Sequence, residues 1–401
     1  MTIILYSLVF FALLGGEVFR LQFPNSVAIL LLDGAVFLLV ISSYLRLAVT
    51  KKWQITRTLF VPFLLFVLAA LLSLGIHIGK LSPEHLGIAS LYLVRFVVYM
   101  SVLFIVAHES QSTQKLIVTL SLIAGGLFVV AGYLQYFFYP ALRNLYYLGW
   151  DEHLYRLFST FLDPNFAGVF LVLYVFFLLF LLRSQKSYRS IRSRLLFIGI
   201  CLTLLAVVLT FSRSALIMLG VTSVLYLFII DRKKYITGVF VSALLLFIIL
   251  LPFSHIENTD LLRTASTQAR LDSAKIALTI FSKNPVFGVG FNAYRYAQVQ
   301  YGFRKPQTKF PSHANSGTDN SFLFLLATTG VVGTAAFGFF IYRLCLVSWQ
   351  TYRTKQSSYS LLFLLSLVGI CADSLFINSL FYPPILVWLG VIGGLMIRDS
   401  L

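Results

Sequence analysis

The sequence predicts an all-α polytopic membrane protein, and three observations lead there. Of its 401 residues, 59% are hydrophobic and only 11% are charged, whereas soluble domains carry roughly 25% charged residues. The apolar text comes in repeated runs of about 20 residues, the length a helix needs to cross about 30 Å of hydrocarbon. Those runs also lack the two-residue alternation that membrane-barrel strands would show.

About twelve spans are expected, at roughly 2–16, 26–49, 58–79, 88–107, 116–139, 161–182, 195–212, 214–230, 236–252, 320–347, 359–379 and 383–397. The first, within MTIILYSLVFFALLGGEVF, has neither a basic n-region nor a small-x-small cleavage site, so it is expected to be a retained helix. Charge sets the orientation. With the N-terminus in the cytoplasm, the connectors KKWQITR, HESQSTQK, RSQKSYRSIRSR, DRKKY and QTYRTKQSS and the final RDSL lie inside and hold 15 Lys and Arg. The short outer connectors and the Ser212–Ser214 turn hold five: Arg20, Lys80, Arg143, Arg156 and Arg213. This is the positive-inside bias, and it explains the net charge of +17 without a nucleic-acid partner. Three parts result: residues 1–252 with spans one to nine, an external loop at 253–319, and residues 320–401 with the last three spans. Cys201, Cys345 and Cys371 all fall inside apolar runs, so neither a disulfide framework nor a metal site is expected.

Along the chain, Arg46 and Arg343 lie near cytoplasmic ends of their spans, where a long side chain can snorkel. Arg95, in ASLYLVRFVVYM, is deeper and nearer the outer half of its helix. An arginine there is costly unless it faces a partner or a wet cavity, so it is functional by default. The segment YPALRNLYYLGWDEHLYRLFSTF suits an interfacial aromatic belt, which is favoured, and equally stacking on sugar rings. Asp163 and Pro164 have the chemistry of an N-cap and a first helical residue. Arg213 sits in TFSRSA, where two apolar runs meet with hardly any connector.

About 66 residues then intervene before apolar text resumes at Ser321, and a loop of that length is functional or has structure of its own. QARLDSAKIALTIFSK, residues 268–283, predicts an amphipathic helix with Leu271, Ala274, Ala277, Leu278 and Phe281 on one face and Arg270, Asp272, Ser273 and Lys275 elsewhere. Ser266 or Thr267 can cap it, and Asn284-Pro285 stops it. Gly288 and Gly290 in VFGVGFNAY permit a tight reversal. A cation near the first helical turn opposes the helix dipole, so Arg270 is either a partner for an anion held by both or a solvated surface residue.

The outer face thus gathers Arg213, Arg270 and Arg95, with Arg295, Arg304, Lys305 and Lys309 as further cations. Arginine suits bidentate recognition of phosphate, which points to an anionic lipid headgroup and notably a lipid diphosphate. There is no Asp-x-Asp pair, His-rich ligand spacing or P-loop, so no metal and no other cofactor is expected. Guanidinium groups can themselves stabilise charge on a leaving diphosphate. For a base that activates a hydroxyl, the candidates are His313, Asp319 and, more remotely, His153 with Asp151 and Glu152. Asp319 has a second role open to it, as cap of the helix starting at Ser321.

At this point the order SRSA (212–215), ARLDSAKIALTIFSKNPVFGVGFNAY (269–294) and TDNSFLFLLATTGVVG (318–333) resembles the O-antigen ligase and O-antigen polymerase superfamily. LDPNFAG (162–168) and the YLVR holding Arg95 fit the same pattern. The resemblance implies a GT-C-type glycosyltransferase fold, a polyprenyl-diphosphate-linked glycan donor, and metal-independent transfer at the outer face of a bacterial or archaeal inner membrane. Arg213 and Arg270 match the family's diphosphate arginines and Arg95 is grouped with them, while Asn165, Asn292, Tyr294 and Asn320 stand within the motifs as glycan contacts. The acceptor is implied to be a glycan or lipid, with membrane lipids and a chain-length regulator as further partners. The ligases carry a histidine eleven residues before a motif glycine. Counted back from Gly330, that position is Asp319. Either Asp319 or His313 is then the base, or the chain is a polymerase, which the missing histidine favours over a ligase. A flippase that binds the same diphosphate without reaction is the reading from another class.

Overall fold

The computed structural model describes residues 2–23, 27–50, 57–185, 187, 190–230, 264–304 and 317–400. The described chain is helical throughout, apart from one small hairpin and the connectors. The helices are α1 Thr2–Gly15, α2 Leu31–Thr50, α3 Arg57–Gly75, α4 Pro83–Ala107, α5 Gln111–Phe138, α6 Pro164–Arg183, α7 Ile191–Leu209, α8 Arg213–Ile230, α9 Thr264–Lys283, α10 Tyr294–Gln300, α11 Ser321–Lys355, α12 Ser358–Asp373 and α13 Pro383–Ser400. Nine of the described helices are long and apolar enough to cross a membrane. Eleven of the twelve expected spans coincide with described helices, and the twelfth, 236–252, lies outside the described residues. The chain is therefore an all-α, multi-pass membrane protein.

Where boundaries moved, caps explain it. Ser82, Ser110, Ser190 and Ser357 each accept a hydrogen bond from the backbone three residues on, so α4, α5, α7 and α12 start at those serines. The second span begins later than expected. Residues 28–30 form strand β2, Ala28–Leu30, antiparallel to β1, Arg20–Gln22, with Leu21 opposite Ile29. Asp33 Oδ2 accepts from Leu30 N at 2.7 Å, which ends the strand and starts α2.

The helix ends gather at two poles. At one, Glu109 is buried and accepts from both terminal nitrogens of Arg46, at 2.5 and 3.1 Å, and from Tyr6 Oη at 3.3 Å. Arg398 donates to the Glu109 carbonyl. Arg46, expected to snorkel, is instead held by a buried carboxylate. Between the poles, α13 presses glycines onto α4: a Cβ at Gly394 would lie 2.5 Å from Val106 Cβ. Small residues allow the close backbone approach that drives helix association in lipid.

The opposite pole carries an internal crossing. At Gly330, α11 breaks (φ 64°, ψ −165°). Pro285 to Gly290 runs alongside the break and pairs with it like a strand: Val289 N donates to Ala327 O and Gly290 N to Thr328 O, both at 3.0 Å, and Val331 N donates to Pro285 O at 2.9 Å. Ser73 of α3 closes the crossing, with Oγ 2.6 Å from Phe287 O and 2.8 Å from Thr328 O. The carbonyls freed by the broken helix therefore have partners, as unwound backbone at membrane depth requires. The expected reversal at Gly288 and Gly290 is this crossing.

Candidate functional site

The pole with the crossing also collects the expected site residues. Arg213 is the first residue of α8, and Arg270 lies in α9. Asp319 stands two residues before α11, and Asp163 caps α6 by accepting from Asn165 N at 2.7 Å. Arg213 donates through Nη1 to Thr267 Oγ1 at 3.2 Å, which joins α8 to the first turn of α9.

Two expectations about α9 need correction. The described helix already includes Thr264, so Arg270 lies beyond its first turn and the opposing-dipole argument loses most of its force. The expected apolar face also packs only in part, with Ala274 and Phe281 half-buried. Ala277 and Ile280 are buried while Leu271 and Leu278 are about half exposed. Arg270, Ser273, Ala277 and Ile280 form the inward stripe at helical spacing, so Arg270 points toward the protein and the leucines point away. The inward face meets the small core of Val289, Tyr294, Ala297, Phe324 and Ala327 through Ala277 and Ile280, and the backbone of Asp319 through Ser273.

Asp319 is half-buried, its backbone N donates to Ser273 Oγ at 3.3 Å, and Arg270 is the foremost cation facing its carboxyl. Burial raises the carboxyl above the usual aspartate range; Arg270 and Arg304 oppose that shift, and Asp163 and Asp151 add to it. The expected helix cap belongs to its neighbour instead. Asn320 Oδ1 accepts from Phe322 N and Leu323 N, both at 2.9 Å. The Asp319 carboxyl is therefore not the cap of α11.

The other expected glycan contacts are mostly taken up inside the protein. Asn320 also donates to Leu375 O at 2.9 Å. Asn165 Oδ1 accepts from Arg156 Nη2 at 3.3 Å and from Ser212 Oγ at 3.2 Å. Tyr294 is buried in a small core with Ala277, Ile280, Val289, Ala297, Phe324 and Ala327, which packs its ring rather than offering it to a glycan. Its phenol is raised by burial and faces Arg304 and Asp319. Asn292 adopts φ 58°, a conformation asparagine tolerates, and its buried Nδ2 has no hydrogen-bond partner among the described residues.

Arg95 is brought to the same pole but to a different partner. Its Nε donates to Asp33 Oδ1 at 2.8 Å, its terminal nitrogen pairs with Asp33 Oδ2, and the same nitrogen reaches Ala28 O at 2.9 Å. Tyr99 Oη completes the cluster on Asp33 at 2.8 Å. The sequence reading asked for a partner or a wet cavity, and the structure supplies the partner. His313, Lys305 and Lys309 lie outside the described residues.

One acid went unnoticed in the sequence. Asp373, the last residue of α12, is fully buried at this pole. The Ser214 and Ser379 hydroxyls lie beside its carboxyl at geometry short of full hydrogen bonds, and Arg270 is the cation facing it. A lone acid inside an apolar run was the available signal. It was hidden because the run 359–379 was read through it. Arg270 thus stands before two carboxylates from different segments, Asp319 and Asp373, and Arg213 is the neighbouring residue of Ser214.

Residues 198–338 match a family model described as O-Antigen ligase. The matched segment takes in α8, α9, the Gly288–Gly330 crossing, Arg213, Arg270 and Asp319. It supports the O-antigen ligase and polymerase superfamily that the motif order resembles. No curated protein matches the chain.

Proposed function

We propose, from the O-antigen ligase and polymerase superfamily carried by residues 198–338, that this chain is a membrane glycosyltransferase acting as a polymerase. It would move a glycan from a polyprenyl diphosphate to a sugar hydroxyl. The observation that carries the reading is that Arg213 bonds Thr267, one turn before Arg270 on α9, and that Arg270 faces Asp319.

In this reading the two guanidinium groups hold the donor diphosphate. Asp319 accepts the proton of the acceptor hydroxyl as its oxygen attacks the anomeric carbon. The bond from that carbon to the diphosphate oxygen breaks, and polyprenyl diphosphate leaves with its charge matched by Arg213 and Arg270, so no metal is required. Stabilising charge where it develops is the largest single contribution most active sites make, and a carboxyl raised by burial is a better-matched base near neutral pH than an ordinary aspartate. Asp319 at the ligase histidine's position favours the polymerase. The basic bias of the opposite pole's connectors supports a site on the outer, periplasmic-type face.

Incubating purified protein with a lipid-linked repeat tests the class, since a transferase releases polyprenyl diphosphate and a flippase does not. Mass analysis of surface glycans from a deletion strain tests the acceptor. Loss of long chains with single capped repeats retained supports a polymerase, and loss of both supports a ligase.

A further inference from the structure

We propose that Arg156 is the positioning residue that aims Arg213. The inference rests on the diphosphate role of Arg213. It concerns how a side chain at a nearly connector-free turn is held in one direction.

Helix α7 ends at Leu209 and α8 begins at Arg213, leaving three residues to reverse the chain. Such a turn leaves the last carbonyls of α7 without helical partners. It also puts Phe211 at φ 47°, a left-handed conformation that a bulky residue holds only when its surroundings over-determine it. Arg156 does that. It is 3% exposed, its Nε donates to Thr210 O at 2.9 Å, and its Nη2 lies 3.3 Å from Phe211 O. The cation stands at the C-terminal end of α7, where the helix dipole favours it.

The same Nη2 reaches Asn165 Oδ1 at 3.3 Å, which also accepts from Ser212 Oγ at 3.2 Å. Ser212 Oγ in turn lies 3.2 Å from Ser214 Oγ and receives Ala215 N at 3.4 Å. Leu157 N donates to Leu209 O at 2.9 Å and anchors the Arg156 loop to the end of α7. Residues 210, 211, 212 and 214 are thus each fixed, directly or through Asn165, by one buried guanidinium. Arg213 is the residue they bracket. Its side chain leaves the turn toward Thr267 and α9. Arg156 spends its planar fork on two carbonyls and an amide oxygen, a geometry that a lysine cannot reproduce.

The test is a double-mutant cycle on binding of farnesyl diphosphate, a short polyprenyl diphosphate, to the purified full-length protein. Arg156→Lys is expected to weaken binding about tenfold when Arg213 is present and less than twofold in an Arg213→Ala background, while keeping its full effect in an Arg270→Ala background. Ser212→Ala removes the Asn165 link together with that hydroxyl's contacts to Ser214 and Ala215, leaves both Arg156–carbonyl bonds in place, and is the milder variant should Arg156→Lys fold poorly. It should show a smaller loss with the same dependence on Arg213. Equal losses with and without Arg213, or no loss in either variant, would overturn the positioning role while leaving the diphosphate reading intact. Unchanged binding in Arg213→Ala alone would overturn that reading and the inference with it.

Discussion

Arg213 Nη1 lies 3.2 Å from Thr267 Oγ1, and Arg270 follows Thr267 by three residues on the same helix. This contact brings Arg213 to the helical turn that precedes Arg270. If both grip one diphosphate, each needs its fork and not only its charge. Arg270→Lys is expected to cost nearly as much as Arg270→Ala, and Arg213 should behave alike. The expected loss is about 2–4 kcal/mol of transition-state stabilisation, or on the order of 10²–10³ in rate. Release of polyprenyl diphosphate in a single turnover, at matched expression, measures it. Wild-type rates in either alanine variant would remove the arginines from the mechanism.

The helices and the pole at which the arginines meet were legible in the sequence because apolar run length and basic bias depend on the bilayer, which acts on every residue alike. What was illegible depends on partners. Nothing local distinguishes Arg95 seeking a ligand from Arg95 seeking Asp33, which is 62 residues away. The helix starts at Ser321 as expected, but its cap is the residue directly before it, Asn320, rather than Asp319, and both residue types cap well. The inward face of α9 could not be read from its leucines, because Leu271 and Leu278 stay about half exposed while Ala277 and Ile280 pack into the small core beneath. Asp373 was passed over because run length was weighed above the cost of one carboxylate in it.

The Asp33–Arg95 pair makes a second prediction. Asp33 receives Arg95, Tyr99 and the Leu30 amide, so its loss leaves a guanidinium, a phenol and a backbone N–H without their acceptor. Asp33 and Arg95 are partly buried, so Asp33→Ala should cost about 1–3 kcal/mol of stability, the range for leaving hydrogen-bonding groups without their acceptor, and lower the thermal midpoint in detergent. If the pair is purely structural, Arg95→Ala that still folds will bind farnesyl diphosphate as the wild type does. A tenfold weaker affinity at unchanged midpoint would restore Arg95 to the diphosphate site.

The crossing at Gly330 makes a third. A Cβ there would lie 2.3 Å from Val286 O, and the backbone is held at φ 64°. At Gly288, with φ 66°, a Cβ would meet Thr328 C at 2.3 Å. Both obstacles are backbone and cannot rotate aside. Gly330→Ala should therefore lose at least about 1–3 kcal/mol from strain alone, with the thermal midpoint falling and activity falling with it. Gly338, where a Cβ would meet nothing within 4 Å, is the matched control and should tolerate alanine.

The fourth prediction concerns Asp319 and pH. Burial raises its carboxyl, and Arg270 only partly offsets that. A base is active when ionised, so turnover should fall as pH drops through this raised value, at a higher pH than an ordinary aspartate would give. Stability runs the other way. The folded protein holds this proton more tightly than the unfolded chain, so the residue's contribution improves as pH falls through the raised value. Asp319→Asn removes the basicity without touching the cap, which Asn320 provides. It should leave the thermal midpoint at neutral pH unchanged or slightly higher. Turnover should fall roughly 10²–10⁴-fold with the acidic limb abolished and donor affinity nearly kept. If His313 is the base instead, Asp319→Asn will keep its turnover and His313→Gln will lose it. If both variants turn over normally, neither side chain takes the proton, and Arg213 and Arg270 are left with diphosphate binding alone.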